Sequence, residues 1–243
     1  MLDLNRVRQG LCGITLGIVL VSCGNTVAAP ERPEIKPQDF ALVPCGPGLA
    51  ERPCALVVAG GKRVLFGAPA GVAATLEKGD LRQLDAVMLF SLRAADIEGL
   101  DEVRNETWWA GRDEPLLVVG PEGTVDMVEA LNKTFEQADA LRIVEEGIPP
   151  GGYDAAVLEA QESVAGVPDF DTGDLVIHSV NAGAWEAVYY TDELVAVAIE
   201  ACGATQFEWP DGERPISKLG YLGCEEVFEH VWPLTETVFI VKN

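Results

Sequence analysis

The chain reads as an α/β protein, and three observations carry that reading. Its apolar runs are short and unbroken, Val87-Met88-Leu89-Phe90 being the clearest. That is the pattern of a strand buried on both faces, not of an alternating surface strand. Turns rich in glycine and proline separate these runs from helical stretches such as Val125 to Ala138. This strand–turn–helix punctuation then gives way to a β-rich C-terminal part.

The first 22 residues do not read as part of the fold. Arg6 and Arg8 give a positive start, and Leu11 to Val21 forms an apolar core that is short for a bilayer span. It ends Leu20-Val21-Ser22-Cys23, which resembles a bacterial lipobox, and the resemblance implies lipidation of Cys23. The alternative is an ordinary signal peptide cut near Ala28-Ala29. Gly24, not an aspartate, follows the cysteine, so the outer membrane is expected, with the domain facing the periplasm or the surface. An acyl chain contributes roughly 0.8 kcal/mol per buried CH2, so a multiply acylated cysteine holds a domain firmly at a membrane. Residues 23–39, with Pro30, Pro33 and Pro37, read as a semi-rigid tether. Residues 40–243 are enough for one domain with a substantial core.

The formal charge is −22. Such an excess repels phosphate backbones and anionic lipid surfaces, which argues against a nucleic-acid partner; a plain acidic surface accounts for it equally well. Cys45, Cys54, Cys202 and Cys224 lie in the domain, an even count suited to two disulfides in an oxidising compartment. Three pairings are possible. Cys45–Cys54 with Cys202–Cys224 is favoured because both close short loops.

In chain order, Cys54 to Ala59 and Lys62 to Phe66 flank Gly60-Gly61 and predict a β-hairpin. A helical run over Val72 to Lys78 leads to the Val87–Phe90 strand. Ile97-Glu98-Gly99-Leu100 reads as a helix start. Trp108-Trp109-Ala110-Gly111-Arg112 precedes a strand at Pro115 to Val119, which Gly120-Pro121 turns. Thr124 is the expected cap of the helix Val125 to Ala138. The glycine-rich turn before that helix suits an anion, but Glu122 and Asp126 already place negative charge there. Ile148 to Tyr153 and Asp171 to Asp174 are turns. Leu175 to Val180 is a strand, Ala187 to Tyr190 and Leu194 to Ile199 a hairpin. Cys224 to His230 is a short helix and Thr237 to Val241 a closing strand.

Over Cys54 to Gly203 this frame resembles the metallo-β-lactamase-fold hydrolases, in their ribonuclease-Z-like and arylsulfatase-like branch. The Trp-x-x-Gly-Arg pattern at 108–112 and Pro-Leu-x-Val-x-Gly-Pro-x-Gly-Thr at 115–124 are its most specific motifs. The resemblance implies a four-layer αββα sandwich. It also locates the zinc ligands, and there the chain departs from the pattern. In the family a strand is followed by His-x-His-x-Asp-His; here Ser91 and Arg93 stand for the first two histidines, Ala95 for the aspartate and Asp96 for the third histidine. Gly67 replaces an aspartate after the first hairpin. Asn181-Ala182 stands where a strand-ending Asp-His is expected, and Glu200 to Gly203 replaces a Gly-Asp-Thr.

The whole chain has two histidines, His178 and His230, too few for a dinuclear site built on imidazole. His178 lies in a strand pattern and reads as a hydrogen-bonded sheet residue. An Arg93–Asp96 ion pair is the expected filling of the vacated site. No metal and no cofactor are expected. The function expected is a lipid-anchored envelope protein that keeps a hydrolase-like fold as a non-catalytic binding or scaffolding module with a protein partner. The alternative is a metal-dependent hydrolase of esters, lactones or phosphodiesters, with Asp96, Glu98 and Glu200 as relocated oxygen ligands.

Overall fold

The computed structural model describes residues 32–45, 54–181, 183–190, 195–201, 217–222, 231–233 and 239–242. The chain divides into two units, Met1–Arg32 and Pro33–Asn243. The signal segment, Cys23, Ala182, Cys202, Cys224 and the helix expected at Cys224 to His230 lie outside the described residues.

The first sheet takes β1 (Phe40–Pro44), β2 (Ala55–Ala59), β3 (Lys62–Phe66), β4 (Ala86–Met88), β5 (Leu116–Gly120) and β6 (Leu158–Glu162), closed at the β1 edge by β13 (Phe239–Val241). Its order is β13-β1-β2-β3-β4-β5-β6, antiparallel up to β3 and parallel from there. The second sheet takes β7 (Pro168–Asp171), β8 (Leu175–Asn181), β9 (Ala184–Tyr189), β10 (Val195–Ala201), β11 (Ser217–Leu222) and β12 (Val231–Pro233), in the order β12-β11-β10-β9-β8-β7. Between the strands come α1 (Lys78–Arg82), α2 (Ala94–Ile97), α3 (Leu100–Ala110) and α4 (Thr124–Glu146).

Alternation explains the unbroken apolar runs. Along the first sheet, Phe40, Leu42, Val57, Val64, Phe66, Met88 and Val119 meet Leu175, Ile177, Trp185 and Tyr189 of the second sheet in one core. Their neighbours Ala41, Leu56, Val58, Leu65, Val87 and Val118 point the other way, into a second core with Leu100 and Val103 of α3 and Val128 of α4. Every position is buried because both faces are covered, and each large side chain so buried contributes roughly 1.5–3 kcal/mol. Among the described residues this gives a helix layer and two mixed sheets face to face, three of the four layers of the expected αββα sandwich.

Several local expectations hold. Gly60 and Gly61 turn the hairpin with φ of 58° and 75°, which glycine adopts without steric cost. Cys45 and Cys54 are disulfide-bonded, tying the β1 and β2 ends. Others are corrected. The helix predicted over Val72 to Lys78 is a 3-10 turn at Ala73–Thr75 followed by α1, because Leu76 turns extended (ψ 141°). Gly123, at φ 93°, caps α4 in place of Thr124, whose hydroxyl donates to the Pro121 carbonyl at 2.6 Å. The helix runs on to Glu146, since its outer half is held by contacts beyond the reach of local signals. Although α4 is long, no helix among the described residues is long and apolar enough to cross a membrane.

Candidate functional site

The parallel strands β4 and β5 end at one edge of the first sheet, and the connections that leave them form the candidate site. Past β4 the chain runs Leu89-Phe90-Ser91, held to β5 by the Leu89 amide donating to the Val119 carbonyl at 2.8 Å. The Ser91 hydroxyl then donates to Oδ2 of Asp96, and the Arg93 amide donates to the Ser91 hydroxyl at 3.1 Å. Asp96 closes the loop in return: its amide donates to the Arg93 carbonyl at 2.9 Å, and its carbonyl accepts from the Ala68 amide at 2.9 Å.

Two glycines make this approach of loops possible. Gly67, where the family resemblance places an aspartate, sits at φ 76°, a conformation that strains any side chain. Gly99 precedes α3 and donates to the Ala68 carbonyl at 2.8 Å; a Cβ there would overlap the Pro69 carbonyl. The Ile-Glu-Gly-Leu segment thus reflects a packing requirement: α2 ends at Ile97, Gly99 turns against the 67–69 loop, and α3 begins at Leu100.

Beside this loop a cleft of about 210 Å³ opens between the two sheets. Leu89 and Phe90 come from the β4 end, Pro121 and Glu122 from the β5 end, and Ser163 follows β6. Ser179 of β8 and Trp185 of β9 form the facing wall. Trp185 sits edge-on to Phe66 at 6.4 Å, so the cleft floor is continuous with the core. The amide of Gly123, at the start of α4, already has an anion: it donates to Glu162 Oε1 at 2.7 Å. The carboxylate that serves this helix end therefore comes from the end of β6 rather than from the neighbouring Glu122 or Asp126.

The side of the cleft is fastened by Asp169. Its Oδ2 accepts the Ser179 amide at 3.0 Å and its Oδ1 accepts Gln161 Nε2 at 3.3 Å, so it ties β6 of the first sheet to β7 and β8 of the second. It lies where the β7–β8 register shifts, an irregularity that aims the carboxylate into the ladder. Burial pushes its pKa above the ordinary aspartate range, against the hydrogen bonds and nearby His178, which favour the ionised form.

Of the residues the sequence singles out, Ser91 and Asp96 are brought together. Arg93, Ala95 and Glu98 are exposed on the same loop. The expected Arg93–Asp96 ion pair is not formed among the described residues; the shorter Ser91 reaches the buried carboxylate and Arg93 stays in solvent, where its charge is hydrated. Asn181 ends β8, paired with Ala184 across a register shift. Glu200 lies on β10 opposite Ala184. Asp96 and Glu98 do not line the cleft. His178 Nε2 meets Glu186 Oε2 at 3.0 Å across β8 and β9, a partnered sheet residue.

The resemblance read from the sequence implies a zinc pair, and the described side chains of the 91–96 loop do not fit one. The loop offers a hydroxyl, a guanidinium and a methyl group, none of them a zinc donor of the required kind, and one carboxylate, Asp96, which accepts the Ser91 hydroxyl. Among the described residues, no three His, Cys, Asp or Glu side chains stand together so as to hold a metal ion. Sequence reasoning missed Ser163, Ser179, Trp185 and Asp169. Each comes from a different strand or connection, and no local spacing links them.

No protein-family model and no curated protein matches the sequence. Solved structures do, as likenesses of fold. They include the metallo-β-lactamase fold protein YhfI from Bacillus subtilis, 11% identical with a TM-score of 0.49 over 76% of this chain and 86% of that one. Human tRNase Z, short form, is 13% identical with a TM-score of 0.46 over 66% and 68%. Zn(2+)-bound PqqB from Methylobacterium extorquens is 12% identical with a TM-score of 0.48 over 74% and 70%.

Proposed function

We propose that this chain is a non-catalytic binding module of the bacterial cell envelope, held to the outer membrane by lipid on Cys23 and using the inter-sheet cleft to hold a ligand or a protein partner. The observation that carries this reading is the Ser91–Asp96 hydrogen bond. The one buried carboxylate of the loop is spent on closing that loop. The cleft beside it offers aromatic and aliphatic walls with two serines and one carboxylate, Glu122, a largely apolar surface suited to holding a ligand.

The test is metal content. The folded mature domain is incubated with zinc, manganese or iron, desalted and analysed by mass spectrometry. Near-zero retention is expected. One or two ions kept per chain would overturn the reading and favour a hydrolase with relocated ligands. The anchor is tested separately: Cys23→Ser should abolish incorporation of labelled palmitate in cells, and undiminished labelling would remove the lipoprotein assignment.

A further inference from the structure

A second cavity, of about 610 Å³, lies at the opposite ends of the same strands, a size within the roughly 300–1,000 Å³ of small-molecule sites. Three connections wall it: Gly61-Lys62 at the start of β3, Arg82 to Asp85 before β4, and Gly111 to Pro115 before β5. Its charges are arranged by depth. Lys62 and Asp85 answer each other at 2.9 Å. Arg112, from the Trp-x-x-Gly-Arg motif, is buried to 2% exposure. Its Nε donates to Thr107 Oγ1 at 3.2 Å and its Nη1 to the Glu114 carbonyl, while Nη2 is buried with no acceptor among the described residues.

Both acceptors are neutral, so Arg112 is a fixed positive charge behind the wall without a bonded carboxylate. Burial, and then nearby Arg104, bring its pKa down to about 10, and Asp113 opposes this only in part. A charge in such surroundings is weakly screened, and its field reaches into the adjoining space. Arg82 is exposed and makes no hydrogen bond or ion pair among the described residues. Its Nε lies 4.0 Å from where a Cβ on Gly111 would stand, an ordinary contact distance. Asp113 and Glu114 are exposed on the same wall.

We infer that this cavity binds a free α-amino acid, its carboxylate on Arg82 in front of Arg112 and its ammonium group on Asp113 and Glu114. A plain anion would meet the two carboxylates and a plain cation the two guanidinium groups. A molecule carrying both charges satisfies each. The inference is independent of the reading of the inter-sheet cleft.

The test is calorimetric titration of the purified mature chain with glycine, L-alanine, L-glutamate and L-lysine, with acetate and ethylamine as half-ligands at matched ionic strength. Saturable binding of at least one amino acid is expected, with both half-ligands weaker by roughly ten-fold or more, the loss expected for one charged hydrogen bond. Arg82→Gln should weaken amino-acid binding by a similar factor with the melting temperature unchanged, because the side chain is exposed. Absence of saturable binding across the four amino acids, acetate binding as tightly as they do, or an Arg82→Gln variant that binds normally would each overturn the inference.

Discussion

Asp169 shows how one residue carries a cost that its position makes useful. An aspartate whose native pKa is raised binds more protons folded than unfolded in the window between the two values. Stability therefore falls as pH rises through that window, and the penalty is fully present above the native pKa. The ionised group is kept because its two oxygens accept from β6 and β8 at once. Asp169→Asn removes the charge while its amide still bridges, given a flip of Gln161. The variant is expected to be more stable than the parent at pH 7 and to lose the rise in stability on acidification. Urea unfolding at pH 7 and pH 4.5 checks this; a variant with the parent's pH slope would mean that Asp169 is not the group responsible.

At the scale of elements, α3 and α4 are joined through charge inside an otherwise apolar layer. Arg104 of α3 and Asp139 of α4 form a buried ion pair, with a second bond from Arg104 Nη1 to Asp139 Oδ1 at 3.1 Å. The guanidinium also lies 5.0 Å from the Phe135 ring centroid. Desolvation offsets much of the attraction in such a pair, yet removing one partner strands the other. Asp139→Ala should therefore cost about 3–5 kcal/mol, and Arg104→Met with Asp139→Leu should recover most of it. Chemical denaturation of the single and double variants measures both, and additive losses would show that the two side chains are not coupled. The pair helps to hold the outer half of α4, together with Ile143, packed against the Trp108 cluster, and Arg142, 3.8 Å from the Trp109 ring centroid.

For the whole molecule, the cleft is a property of two sheets and of neither alone. Trp185 belongs to the core between them and to the cleft wall. Trp185→Ala is expected to cost about 3–5 kcal/mol, the usual loss for a buried aromatic, and to enlarge the cleft. A thermal unfolding scan reads the loss, and uptake of a fluorescent apolar dye reads the opening. A variant as stable as the parent would detach the cleft from the core. The basal cavity lies at the opposite strand ends and should be untouched by this substitution.

The sequence by itself determined what is written in local pattern. Val87 to Phe90 announced a strand buried on both faces, Gly60-Gly61 a hairpin, and Cys45 and Cys54 a short covalent loop, because backbone conformation and near-neighbour burial depend on adjacent residues. The departure of the ligand loop from its family pattern was legible for the same reason: Ser91, Arg93, Ala95 and Asp96 are read in place. Only the tertiary structure decided that Ser91, not Arg93, holds Asp96, and that Gly123 starts α4 with Glu162 at its amide. It alone brought Ser163, Ser179 and Trp185 around one cleft and left Arg112 buried without an acidic hydrogen-bond partner beside a second. The cleft and the Glu162 contact join residues far apart in the chain, and the energies of all these relations depend on distance and dielectric, which exist only once the two sheets have packed.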